Sequence, residues 1–327
     1  MPSYGFSVCG YLNGLPNMGT NERFNDISNI HVQRMETSAK RAIGTYSLNN
    51  YGFLAGGRTV GIISTHEKYD NIANGYIVRN SITGRSNLNG FALNNYGFNV
   101  CGTDPIQNVG IIERYDDATD SFTIRTPATP RARLAAYNNS NYGYTSCGLT
   151  SIPPGWTGIT ERFDDISNTQ LNRAPATARS EVSGYNIGEY GFSTGGYNTN
   201  TTERFDDIGN FHVSRNTIYP GISGTRHEIC AYPMTIDTTS YGFTSGGVTG
   251  VTTLLGVTER YDDNVGIQTK RTDLSVPRSV LSGFSLVEGT TTGGDTSILN
   301  QIPIELIVAS GTILVLGYIY YINTARR

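Results

Sequence analysis

Apolar and polar residues alternate along this chain in runs of only four to six positions, and the runs are cut by Gly, Asn, Asp and Ser. Residues 190–215 show the unit. Tyr190-Gly191-Phe192-Ser193-Thr194 leads into Gly195-Gly196, a variable loop follows, and Glu203-Arg204-Phe205-Asp206-Asp207 alternates charge with an aromatic before the segment that ends at Arg215. A period of two over so few residues predicts short β-strands, and the turn residues between them predict reversals of the chain.

The unit recurs. Its small pair stands at Cys9-Gly10, Gly56-Gly57, Cys101-Gly102, Cys147-Gly148, Gly195-Gly196 and Gly246-Gly247, a step of 45 to 51 residues. The acidic strand recurs at Glu22, Glu67, Glu113, Glu161, Glu203 and Glu259. Twelve residues beyond each stands an arginine: Arg34, Arg79, Arg125, Arg173, Arg215 and Arg271. Insertions are admitted elsewhere but not across that offset, so the offset is a geometric constraint. A further segment before each small pair ends in a small residue beside an aromatic, as in Thr45-Tyr46, Gly90-Phe91, Ala136-Tyr137, Gly184-Tyr185, Ala231-Tyr232 and Gly283-Phe284. This predicts the order innermost strand, small-pair strand, acidic strand, outer strand with its arginine. One such sheet cannot bury both faces, so the copies must stack.

A glycine pair closing one strand, an aromatic in the next and a period near 50 resemble the kelch repeat of β-propellers, over nearly the whole chain. The chain departs from that pattern in lacking a late tryptophan in each blade, since its only Trp is Trp156. The Tyr-Gly-Phe and Glu-Arg-Phe-Asp-Asp wording is similar to kelch-like proteins of phage-type genomes. The resemblance implies an all-β fold, a β-propeller of four-stranded blades, and carries no single function. The chain opens in a second strand, so the ring must be closed by a strand from its other end. We expect seven units with an abbreviated last blade and one domain over 1–327, the apolar segment 297–327 closing the ring through Val315-Leu316-Gly317-Tyr318. The alternative is six blades with a transmembrane helix over 303–322, long enough for a bilayer. Glu305 and the β-branched content weigh against the helix.

Composition narrows function by exclusion. Glycine at 39 and tyrosine at 21 with 16% charged residues suit many strands and tight turns. A net charge of −3 without a basic stripe argues against nucleic acid as a partner. Cys9, Cys101 and Cys147 hold equivalent places in separate blades, too far apart for disulfides, and read with Cys230 as buried thiols. The first residues lack the pattern of a secretory signal. We expect location in a virion before cytoplasm, and a tail-anchored membrane location last.

Repetition also decides the chemistry. The pairs Asp116-Asp117, Asp164-Asp165, Asp206-Asp207 and Asp262-Asp263 resemble acid-base pairs but recur in nearly every copy, so they read as turn residues. His31, His66, His212 and His227 lack metal-ligand spacing. No catalytic, cofactor-binding or metal-binding set is predicted, and no cofactor. Recognition is expected in the variable loops after the small pairs, with Trp156, Pro154, Tyr197, Tyr219 and Leu254 as candidate contacts. The function expected is a non-enzymatic structural or interaction protein, a virion decoration, neck or tail or fibre component. Its partners would be copies of itself, other subunits, or a host-surface glycan or protein. The rival readings are a cytoplasmic kelch-type adaptor and a glycan-directed enzyme or lectin.

Overall fold

The computed structural model describes residues 3–12, 16–151, 155–197, 199–218, 225–250 and 252–287. It is all-β, and among these residues seven antiparallel sheets form. Six are four-stranded blades in the expected strand order, and the seventh is a small three-stranded sheet. Blade 2 is representative: Gly44–Leu48 innermost, then Tyr51–Ala55, His66–Asp70 and Gly75–Arg79 outermost. Asn49 and Asn50, both with positive φ, make the two-residue turn between its first strands. The innermost strands of blades 3 to 6 are Asn89–Leu93, Ala135–Asn138, Ser183–Ile187 and Cys230–Ile236, and each packs on the next.

Closure comes one repeat earlier than the sequence pattern predicts. Ser282–Val287 pairs antiparallel with Ser3–Tyr11, from Ser3 opposite Val287 to Val8 opposite Ser282. It thereby supplies the innermost strand of blade 1 and packs between the innermost strands of blades 6 and 2. The other edge of Ser3–Tyr11 is taken by Asn17–Asn25, so the place expected for the segment 297–327 is already filled. That segment lies outside the described residues, as does the 303–322 span. Among the described residues no helix is long and apolar enough to cross a membrane. Among the described residues the ring therefore has six four-stranded blades, and Gly283-Phe284 lies in the strand that completes blade 1.

The glycine of each Tyr-Gly-Phe motif explains how the blades meet. The aromatic of each innermost strand stacks on the second-strand aromatic of its own blade, with centroids 4.9–5.8 Å apart. It also lies over the glycine of the following blade. A methyl group at Gly97 would sit 2.0 Å from the Tyr46 ring, and at Gly191 1.9 Å from Tyr137. The third-strand aromatic then meets the second-strand ring of the preceding blade, as in Phe6 with Tyr69 and Phe53 with Tyr115, at 5.5–5.8 Å. The core is thus six copies of one aromatic joint, stacked and edge-on as ring quadrupoles prefer.

Charges do the rest of the joining. Each third-strand Glu is buried against a basic residue of the linker that enters its blade: Glu22 with Arg278, Glu67 with Lys40, Glu113 with Arg85, Glu161 with Arg131 at 2.6 Å, Glu203 with Arg179 and Glu259 with Arg226 at 2.5 Å. The five arginines are the largest fully buried side chains, and they also donate to backbone carbonyls of the same blade, as Arg278 does to Cys9 and Ser7. The arginine twelve residues after each Glu has a different partner. Arg79 reaches Asp117 and the Tyr115 hydroxyl of the next blade, and Arg173, Arg215 and Arg271 reach Asp207, Asp263 and Asp26. In five blades the arginine or lysine next to the Glu converges on the same aspartate, as Arg162 does on Asp207 at 2.9 Å, after crossing the tyrosine of its own Tyr-Gly motif; in blade 1 Arg23 and Arg34 meet at Asn71 instead. The first Asp of each pair caps its turn, Asp164 accepting from the Ile166 and Ser167 amides. The pairs are therefore scaffold, one residue turning the chain and the other clamping the preceding blade.

Gly97→Ala must push the Tyr46 ring aside, and its cost, by analogy with overpacked cores, is about 1–3 kcal/mol, read as a lower midpoint in denaturant. Glu259→Gln leaves Arg226 buried without its countercharge and should cost about 3–5 kcal/mol by the same measurement. Acid acts on two of these pairs, Glu22 with Arg278 and Glu203 with Arg179. Burial pushes the Glu22 and Glu203 carboxyls up, but Arg278 and Arg179 overcome it and hold them below the usual glutamate range. Depressed carboxyls stabilise the fold above the unfolded value of ~4.3 and lose that contribution as pH falls through the folded values. Thermal midpoints should decline from about pH 6.5, where the unfolded chain protonates histidines such as His66 that burial holds neutral in the fold, and fall more steeply below about pH 5 as the carboxyls protonate.

Candidate functional site

The linkers that enter the blades converge on the axis. Two residues after each buried basic side chain stands a residue with left-handed backbone: Ala42, Asn87, Arg133, Glu181, Glu228 and Val280, φ 53–59°. None is glycine, and a β-branched valine in this region is strained. The compensation is a collar of main-chain hydrogen bonds around the axis. The Asn87 amide donates to Ala42, Arg133 to Asn87, Glu181 to Arg133, Val280 to Glu228 and Ala42 to Val280, at 2.8–3.3 Å. Below the collar the innermost strands enclose a channel cavity of about 270 Å³, and at the collar a second cavity of about 260 Å³ forms the mouth.

The backbone of the collar is six-fold, but its side chains are not. Blades 2, 3 and 1 contribute Ala42, Asn87 and Val280, whereas blades 4, 5 and 6 contribute Arg133, Glu181 and Glu228. Beside Glu228 lies His227, whose Nδ1 is 2.6 Å from the Glu181 carboxylate, and Arg133 holds that carboxylate from the other side. Arg41 and Arg58 also line the mouth, Arg41 over the Tyr11 ring at 4.1 Å. Burial pushes the Glu181 carboxyl up, yet hydrogen bonding to His227 and the charge of Arg133 leave it below the usual range. Burial lowers His227, and the Glu181 contact outweighs it and raises the imidazole above its ordinary value. Glu228 is raised by burial and by the neighbouring Glu181 charge. The arrangement is an amphoteric cup, three arginines and a histidine against two carboxylates.

The loops after the small pairs open on the same face. The linker of each blade bridges to the start of its loop, as Arg41 does to Arg58 and Ala132 to Leu149, and in blade 6 this contact grows into the three-stranded sheet of Arg226–His227, Val248–Thr249 and Thr253–Leu254. Three of the predicted contact residues come together here. Trp156, 42% exposed, bridges to Leu149 and packs on Tyr197 at 5.4 Å, and Tyr197 packs edge-on against His227 at 5.4 Å. Leu254 lines the mouth. Pro154 and Tyr219 lie outside the described residues.

The polar floor was missed. Arg133, Glu181 and Glu228 are readable only after aligning the copies on their buried arginines, where one position varies between Ala, Asn, Arg, Glu and Val inside an otherwise constant linker. His227 carries no metal spacing in the sequence, because its partner Glu181 comes from another blade. His31 and His212 are packing residues as expected, against Phe24 and Phe205, and all four cysteines are free and buried. Burial pushes the Cys9 thiol up to about 12 and Cys101 to about 11, which keeps both unreactive.

No family model matches the chain, and no curated protein matches it. Among solved structures it is similar to that described as the structure of YjhT, with a TM-score of 0.63 over 78% of this chain and 92% of that one, at 10% identity. A likeness at that identity concerns the fold, and the class it supports is the β-propeller.

Glu181→Gln removes the charge that raises His227. The His227 imidazole, followed by NMR, should then titrate below the ordinary ~6.5 instead of above it. The wild-type pair contributes its full stability below ~6.5 and loses it as pH rises through the raised value, so the variant should narrow its stability gap to wild type at alkaline pH.

Proposed function

We propose that the chain is a non-enzymatic interaction module that takes an acidic group of its partner into the mouth of the ring. The single observation that carries this is the break in symmetry at the collar: a scaffold repeated six times places a charged residue at its left-handed collar position in three consecutive blades only, beneath an exposed Trp-Tyr pair. Scaffold needs do not require that difference, because Ala, Asn and Val meet the same backbone geometry. Arg41, Arg58 and Arg133 supply forked donors suited to a carboxylate, and Trp156 with Tyr197 supplies a flat apolar rim for a sugar ring or peptide side chain. A kelch-type adaptor and a surface-binding subunit of a virion would both use such a face.

A second observation favours the structural setting. The turn between third and fourth strands carries an exposed aliphatic in five blades, Ile27, Ile72, Ile166, Ile208 and Val265, at 62–98% exposure. A contact repeated around the ring suits neighbours packed in an array better than one partner. Light scattering of the purified chain tests this, and a monomer at all concentrations removes it.

Trp156 makes the mouth directly observable, being the chain's only tryptophan. Titration with uronate oligosaccharides and with acidic peptides should change its emission saturably. Arg58→Met should weaken the response about tenfold, the loss of one charged hydrogen bond. Equal responses to neutral analogues, or none to any probe, would remove the reading.

A further inference from the structure

The collar places three metal-ligating side chains together, and its aromatic neighbour holds one of them. One oxygen or nitrogen each of Glu181, His227 and Glu228 lies within 4.8 Å of the other two. We propose that these three residues bind a divalent transition-metal ion of the zinc type, with a fourth coordination position open to the mouth. The inference rests on the mouth being the working site of the module.

Each donor is already held from behind, as metal ligands are. Arg133 pairs with one oxygen of Glu181 and leaves the other, Oε2, facing His227. Glu228 accepts a hydrogen bond from Ser279. The His227 ring is hydrogen-bonded to the Gly250 carbonyl and packed edge-on by Tyr197, while its Nδ1 faces the carboxylate. These outer contacts come from Arg133, Ser279, Gly250 and Tyr197, four separate segments of chain, so they are independent of the cluster itself.

The donor set selects the ion. One imidazole and two carboxylates suit Zn²⁺ at bonds of about 2.0–2.2 Å, whereas Mg²⁺ and Ca²⁺ prefer oxygen alone. In a four-coordinate site neighbouring donors stand roughly 3.3–3.5 Å apart by that geometry. The Glu181 to His227 contact of 2.6 Å must therefore open slightly and Glu228 must close in, movements within side-chain reach. The metal takes the place of the proton between His227 and Glu181, and that proton leaves to solvent. Two carboxylates offset the added charge, and the open position shares the mouth with Arg41 and Arg58, where an acidic group would meet all three.

The test is calorimetric titration of the chelator-stripped full chain with ZnCl₂ and, separately, MgCl₂. One Zn²⁺ per chain is expected, with no saturable Mg²⁺ binding, and at least tenfold weakening in His227→Ala and in Glu228→Gln. Folding of each variant is followed by its thermal transition. Should both variants fail to fold, Co²⁺ added to the unaltered chain decides, since four-coordinate cobalt absorbs strongly in the visible and six-coordinate cobalt weakly. Absence of a one-to-one Zn²⁺ site, unchanged affinity in a folded His227→Ala, or six-coordinate cobalt overturns the proposal. The Trp156 titration separates the two readings. A response to acidic probes in the metal-free chain with no Zn²⁺ site removes the metal alone, and a Zn²⁺ site without any probe response removes the proposed partner chemistry alone.

Discussion

A ring of aromatic side chains seated on glycines holds this protein together. Each innermost-strand aromatic fills the space that a side chain would take on the following blade, and no residue larger than glycine fits beneath it. The joint is steric before it is attractive. It sets the distance between blades, and six equal joints bring the sixth blade back to the first, where Tyr232 lies over Gly5 and Phe284 over Gly52. Closure at Ser282–Val287 follows from that repetition.

The electrostatics are layered on the same frame. Toward the mouth, five buried arginines and Lys40 tie each linker to the Glu of its blade, and toward the opposite end a second set of arginines clamps the turn of the next blade, an aspartate in five of six. Buried ion pairs repay their desolvation only when further hydrogen bonds complete them. Here the arginines donate to strand carbonyls as well, and five of the Glu residues accept from a Thr or Ser of the linker, as Glu113 does from Thr83. The pairs thereby hold the linkers in one register, which is what positions the collar.

Because the backbone of the collar is carried by main-chain hydrogen bonds, its side chains are released from structural duty. The same left-handed position accepts Ala42, Arg133 or Val280. That freedom is what lets charge gather at the collar position on one half of the ring without disturbing it. The exposed Trp156 and Tyr197 stand over that half, and Tyr197 couples the rim to the floor through His227.

Local pattern determined the strands, their order within a blade, the turn role of the aspartates and the burial of the cysteines, because each depends on residues within one copy. Periodicity also pointed to Trp156 and Tyr197, since the loops that carry them differ in length between copies. What the pattern left open was decided between copies. Gly283-Phe284 carries the innermost-strand pattern equally well as the start of a seventh unit or as the missing strand of the first, and only its pairing with Ser3–Tyr11 distinguishes them. The arginines twelve residues after each Glu were legible as a constraint but not as a bond to the next blade. The site has the same origin. Arg133, Glu181 and His227 are separated by 48 and 46 residues in the chain and meet only because three successive linkers turn inward at one axis.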